Sequence, residues 1–284
     1  MAVRQAAYAA PAAACAAEVL SALKRSDQAL TLAQLERTLP RSKSLIFRVL
    51  RELESRELVA RDSSGRYRLG IEAFELGAAY LHQSSYTDVI RQTLEQLARD
   101  TGDTVNLGVL RGGEVLYIMK FPGASSYVTI SRVGGRVPAN CVAIGKALLA
   151  QLPEEEIRGR LRDPLTKMTE RSVDRVDDLL DELGRVRRDG YAVDREQAAL
   201  GRCAVALTAK MSFPDDLAAI SLSTAASTFD TRREALVQHL QRARDTLTRD
   251  HQTRIALAHL GPEDRDGIPD ALDTPSGSPM GNRA

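Results

Sequence analysis

Asp194 and Glu196 place two carboxylates two residues apart, Gly145-Lys146 sets a cation beside a permissive backbone, and Ser221 and Ser223 offer two hydroxyls on alternate residues. Close carboxylates do acid–base work when a His, a Lys or a metal acts with them. No such partner is signalled near Asp194, and His82, His239, His251 and His259 are scattered with no HExxH pair. Cys15, Cys141 and Cys203 lack CxxC spacing, which suits reduced, intracellular thiols better than a disulfide or zinc framework. Gly145-Lys146 is not a phosphate loop, because Ala147 follows the lysine and no Gly lies five residues before Gly145. These residues argue for binding rather than turnover, with no metal and no cofactor.

A second group is cationic. In SKSLIFRVLRELESRE, Ile46, Val49, Leu50 and Leu53 form an apolar face, while Ser42, Lys43, Ser44, Phe47, Arg48 and Arg51 lie near the start or on other faces. A recognition helix needs short polar groups and cations early, because its first turns enter the major groove. Arg and Lys reach guanine edges or phosphates, and Ser44 with the helix amides suits a phosphate oxygen. Arg61, Arg66 and Arg68 flank Asp62-Ser63-Ser64-Gly65 in a strand–turn–strand pattern, and such a wing can lie over phosphate or in a minor groove. The competing reading is a solvated basic face on a protein-binding helix, with a hairpin that only covers the core through Val59 and Leu69.

The elements that would position these groups follow from periodicity. The chain has 284 residues and a net charge of +1, yet residues 1–71 carry +5 and the remainder −4. That asymmetry marks one nucleic-acid-binding end. Val19, Leu20 and Leu23 mark a first helix, Thr31 caps a second bearing Leu32, Leu35 and Leu39, and Ser42 caps the third. With the hairpin, residues 12–69 read as a winged helix-turn-helix after a tail at 1–11. Residues 70–85 form an amphipathic linker helix with Phe74, Leu76, Ala78 and Leu81 available to a partner chain. Residues 86–258 alternate helices and strands, giving an α+β domain with a curved antiparallel sheet flanked by helices. Its helices are expected at Val89–Ala98, Asn140–Leu152, Val173–Arg188 (with Gly190 as cap) and from about Thr231. Strands are expected at Thr104–Leu110, Val115–Phe121, Tyr127–Val133, Tyr191–Asp194, Ala204–Lys210 and Leu217–Ser223. The Pro-, Gly- and Asp-rich tail at 259–284 should be disordered. No apolar run approaches the roughly 18 residues of a membrane span, and the Ala-rich start lacks a signal-peptide core, so a cytoplasmic protein is expected.

The stretch TLAQLERTLPRSKSLIFRVLRELESRELVARDSSGRYRLG resembles the DNA-binding domain of IclR-family transcriptional regulators. VGGRVPANCVAIGKALLA, RVRRDGYAVDREQAALGRCAVAL and LAAISLSTAASTF resemble, in the same order, that family's effector domain, a GAF/PAS-like fold. The resemblance spans roughly residues 15–255. It implies small-acid contacts at Ala143, Ile144, Asp194, Ser221 and Ser223. A ligand cysteine found in some members falls on Ala204, with Cys203 one residue away on the opposite face. The chain departs from the family in several places. Pro40-Arg41-Ser42 replaces the usual Gly and Leu-Pro, Leu45 replaces a small Thr, Asn140 replaces a frequent His, and Thr208 replaces a frequent Pro. Asn140 is carried as an effector-site position with these others.

Together these readings describe a regulator that binds a double-stranded DNA operator as a homodimer or homotetramer and answers to a small effector, expected to be an organic acid or an aromatic metabolite. Two alternatives are weighed: an enzyme with an accessory nucleic-acid-binding module, and a winged-helix protein-interaction module.

Overall fold

The computed structural model describes residues 10–82, 86–124, 131–211 and 217–258. Two compact units divide between Ser84 and Ser85.

In the first unit, α1 (Pro11–Arg25), α2 (Leu32–Thr38) and α3 (Lys43–Ser55) precede a hairpin of β1 (Val59–Arg61) and β2 (Tyr67–Leu69). Thr31 caps α2 as expected: its Oγ1 accepts from Gln34 N at 3.2 Å, and Gln34 Oε1 accepts from Thr31 N at 2.8 Å. This reciprocal box satisfies two orphan donors. Ser42 occupies the cap position of α3 but makes no side-chain cap bond. The turn at Pro40-Arg41 is fastened differently, with Arg41 Nε and Nη2 donating to the two oxygens of Glu18 on α1 at 2.9 and 2.7 Å. Cys15, Val19, Leu35, Ile46, Leu50, Val59 and Tyr67 form the core, and Leu45 packs half-buried against it. Asp62 Oδ1 accepts from Ser64 N, Ser64 Oγ and Arg66 N at 2.7–2.9 Å, closing the wing turn. After the wing runs α4 (Ile71–His82).

The second unit opens with α5 (Tyr86–Thr101), β3 (Thr104–Arg111), β4 (Glu114–Phe121) and β5 (Arg136–Pro138). A 3-10 turn at Ala139–Cys141 leads into α6 (Ala143–Leu149), followed by α7 (Glu154–Arg160) and α8 (Val176–Asp189). Then come β6 (Ala192–Arg195), β7 (Arg202–Lys210), β8 (Leu217–Ala225) and α9 (Ala226–Ala258). The six strands form one sheet in the order β5-β4-β3-β8-β7-β6. Each neighbouring pair is antiparallel. The expected α+β architecture is the one observed. By strand alternation, Val105, Leu107, Val205, Ile220 and Leu222 share one face, which packs against α5 and α9. The opposite face presents Tyr117, Ala192, Ala206 and Ala219 to the cluster that contains α6 and α8.

Several expectations need correction. The helix expected over Asn140–Leu152 is split, because the 3-10 turn folds back onto α6. A Cβ on Gly145 would lie 2.1 Å from Ala139 O, so this approach requires glycine. Of the strand expected at Tyr127–Val133, residues 127–130 lie outside the described residues, and Ser131–Val133 run into a turn with Gly134 at φ +77°. The strand beside β4 is instead Arg136–Pro138. α7 was not foreseen, since one buried residue, Ile157, among Glu and Arg gives little periodic signal. The α8 helix starts three residues later than expected, where Asp163 Oδ1 accepts from Val176 N at 2.6 Å. It ends at Gly190 in the left-handed region, as a C-cap should. Residues 259–284 lie outside the described residues, as does the N-terminal tail except for Ala10 and Pro11, where α1 begins.

Gly145→Ala should therefore force the 3-10 turn off α6 and lower the melting temperature or the folded yield sharply. Gly184→Ala, in α8 with only Arg188 Nη1 at 3.8 Å from the added methyl, should gain up to about 1 kcal/mol from helix propensity. Thermal unfolding of both variants checks this; equal effects would contradict the packing argument.

Candidate functional site

The sheet face toward α6 is lined by small residues, and this leaves space. Gly108 is one of them: a Cβ there would lie 2.8 Å from Val115 Cγ1 and 3.3 Å from Ile144 Cγ2. The cavity so formed measures about 40 Å³, room for about three waters at 10–15 Å³ each. Its wall includes Ile144, Asp194, Cys203, Ala204, Ser221 and Ser223 from the expected set, together with Asn106, Tyr117, Ser131 and Arg202. Strand register gathers them. Asp194 pairs with Ala204, Ala204 with Ser223, and Asn106 with Ser221, so residues far apart in sequence share one face.

Two expected positions are not in the wall. Asn140 is buried and committed to structure, its Nδ2 donating to Thr166 O at 2.8 Å and Val173 O at 3.1 Å. Ala143 is packed into the apolar cluster, so Ile144 and the N-cap residue Val142 bring the start of α6 to the cavity. Cys203 borders the cavity, although alternation directs its side chain away from the face of Ala204. Burial pushes its thiol up to about 11, which leaves it neutral near pH 7.

Asp194 is fixed by the turn that follows it: its Oδ1 accepts from Gln197 N at 2.7 Å and Ala198 N at 3.4 Å. Burial pushes its carboxyl up to about 6, against the pull of Lys146 and of these amides. Lys146 is itself buried, with Nζ 2.5 Å from Glu182 Oε2 and donating to Val193 O at 3.2 Å and to Gln197 Oε1. Glu196 turns away, ion-paired with Arg171 and accepting from Gly201 N at 2.7 Å. Asp194 and Glu196 are therefore not an acid–base pair.

Arg202 and Asn106 were missed. Arg202 stands two residues before Ala204 and shares its face, so extending the period-two reading of β7 upstream would have found it. Asn106 is the one amide inside the apolar run VNLGVL.

On the first unit, Ser42, Lys43, Ser44, Phe47, Arg48 and Arg51 are all exposed, as is Arg66 in the wing. Lys43, Phe47 and Arg51 repeat every four residues and so form one stripe along α3. Arg61 and Arg68 are exposed beside Arg66, and Arg61 also lies 5.5 Å over the Tyr67 ring.

Residues 78–249 match the family described as bacterial transcriptional regulator IclR C-terminal. The chain belongs to the IclR family. It is 30% identical over 237 residues to the HTH-type transcriptional regulator XynR of Escherichia coli K12, covering 82% of this chain and 94% of that protein. An IclR transcriptional regulator from Alicyclobacillus acidocaldarius, solved by crystallography, is 30% identical with a TM-score of 0.74, over 85% of this chain and 98% of that one. A Microbacterium hydrocarbonoxydans IclR homolog, crystallised with 4-hydroxybenzoate, shares the fold at 23% identity and a TM-score of 0.72, over 85% and 99% of the two chains. The family consists of transcriptional regulators rather than enzymes. Among the described residues, no helix is long and apolar enough to cross a membrane.

The raised Asp194 pKa has a signed consequence. The folded value, about 6, exceeds the ordinary aspartate value of 3.8, so this group favours folding below about pH 4 and loses that contribution as pH rises through about 6. Asp194→Asn keeps an oxygen acceptor for Gln197 N and removes the charge. Its stability relative to the parent should grow between pH 4 and 6, by on the order of 3 kcal/mol, and stay flat above. Urea unfolding across that range measures the difference, and parallel pH profiles would contradict it.

Proposed function

We propose that this IclR-family regulator binds a double-stranded DNA operator as a homodimer or a dimer of dimers, working in the cytoplasm, and that a small organic acid in the effector cavity alters its operator affinity. The observation that carries the reading is the convergence of Asp194, Ser221, Ser223 and Arg202 from three strands on one small cavity. Hydroxyls and a guanidinium suit a carboxylate. The fold accommodates an organic acid in the complex with 4-hydroxybenzoate described above.

On the DNA side, the start of α3 would enter a major groove with the cations of its stripe and the hydroxyls of Ser42 and Ser44, and Phe47, 45% exposed, offers an apolar contact for a thymine methyl. Ser42, Lys43, Ser44, Arg48 and Arg51 would make the remaining contacts on this helix, and Arg66 would reach the backbone from the wing. Dimerisation is assigned to α4, where Ile71, Phe74, Leu76 and Tyr80 are exposed, a larger apolar surface than a solvated helix usually carries.

Arg48→Ala and Lys43→Ala should each weaken operator binding by about 1–3 kcal/mol if they contact bases, or flatten the salt slope if they contact phosphate, without unfolding the protein. Phe74→Glu should lower both the sedimenting mass and the operator affinity. Parent-like binding by all three variants would overturn the DNA assignment. Binding without salt dependence would favour a protein-interaction module instead.

A thermal-shift screen of mono- and dicarboxylates and aromatic acids, followed by operator titration with each hit, tests the effector half. Ser221→Ala with Ser223→Ala should abolish the shift and preserve ligand-free operator binding. Full-affinity binding by the double variant would move the pocket elsewhere; no change in operator affinity with any hit would remove the switch.

A further inference from the structure

Three buried side-chain polar atoms lack a hydrogen-bond partner among the described residues: Asp103 Oδ2, Asn106 Oδ1 and Arg202 Nη2. The first is electrostatically satisfied, since it lies 2.8 Å from Arg232 Nη2 without bond alignment. The other two belong to the wall of the same cavity. A buried donor or acceptor left unpaired is costly, so such atoms in native proteins call for a missing partner.

The two orphans ask for different things. Arg202 carries a guanidinium that makes no ion pair within 4 Å among the described residues. The carboxylates that act on it, Asp103 and Asp194, are already engaged, by Arg232 and by the amides of Gln197 and Ala198. Lys120, opposite Asn106 in the strand register, adds a second cation; its pKa is held down by burial and by Arg202. Asp103 and Asp194 act on the guanidinium without forming an ion pair with it, so Nη2 of Arg202 is left to receive an anionic oxygen. Asn106 Nδ2 points to Ser221 Oγ at 3.4 Å, which leaves Oδ1 to accept from a hydroxyl. At about 40 Å³ the cavity admits only a small ligand.

We propose that the effector is a small hydroxycarboxylate monoanion, its carboxylate held by Arg202 and its hydroxyl donating to Asn106. The inference rests on the cavity being the effector site and deepens that reading by naming both contacts. Arg202 and Asn106 then set specificity: one selects charge, the other selects the hydroxyl. A site built to bind a ligand hydroxyl rejects the analogue that lacks it, because its own polar group is left unpaired.

Calorimetric titration of the full-length protein with glycolate, lactate, acetate, propionate and lactamide tests this. Lactate or glycolate should bind about tenfold or more tightly than propionate or acetate, and lactate about tenfold or more tightly than lactamide. Arg202→Gln should erase the lactate-to-lactamide preference and keep the ligand-free protein as stable as the parent or more so, since it removes an uncompensated charge. Arg202→Lys should retain part of the preference, and Asn106→Ala should erase the lactate-to-propionate preference. An unchanged acid-to-amide ratio in Arg202→Gln, failure of that variant to fold without ligand, or no binding by either hydroxy acid would each overturn the proposal. If hydroxy acids fail while other acids bind in a manner lost with Ser221→Ala and Ser223→Ala, the cavity remains the effector site and only this ligand class is wrong.

Discussion

The effector-binding half depends on a buried ammonium group. Taking such an ion out of water costs several kcal/mol unless close partners replace the water. Lys146 meets that demand with Glu182 from α8, the Val193 carbonyl from β6 and the Gln197 side chain. Those contacts tie α6, α8 and the β6–β7 turn to one point. Gln197 is also the residue whose backbone N–H fixes Asp194, so the geometry of the cavity follows from where the ammonium sits. Gly145 makes the arrangement possible, since only a residue without a side chain lets α6 approach the Ala139 backbone. The Gly-Lys pair, which from sequence invites comparison with a phosphate loop, works here as a structural pin.

The cavity wall holds charges of both signs that form no direct ion pair with one another. Asp194 is stabilised by backbone amides and shifted toward its neutral form, whereas Arg202 keeps an unpaired donor. The first unit divides its arginines in a similar way. Arg41 is committed to Glu18, which holds the α2–α3 turn, while Arg48, Arg51 and Arg66 remain exposed. A ligand can link such halves only through a difference in its affinity for two arrangements of the protein, and coupling of about 1–3 kcal/mol is the usual scale.

Much of this was legible in the sequence, because strong periodicity marks both the helices of the first unit and the long strands of the sheet. The N-cap at Thr31 and the C-cap at Gly190 were readable from residue type alone, whereas the return bond from Gln34 was not. What escaped depended on tertiary geometry. The break between the 3-10 turn and α6 comes from a backbone contact at Gly145 that no local pattern encodes. β5 has only three residues and gains its identity from pairing with β4. In the cavity, the motif-matched Asp194, Ser221 and Ser223 were nameable in advance. Arg202 was not, because a cation at the first position of a strand reads as a solvated end until the register places it beside Ala204. Asn140 shows the reverse: family alignment nominated it, and its amide is consumed by two backbone carbonyls.

The central claim is that acid binding and operator binding are thermodynamically linked. The most direct measurement is the affinity of a bound acid for the free protein and for the operator-saturated protein, made at one salt concentration. Linkage requires the ratio of these two affinities to equal the ratio of operator affinities with and without acid, on the order of 5–150-fold. Identical acid affinity in the two states would contradict the account.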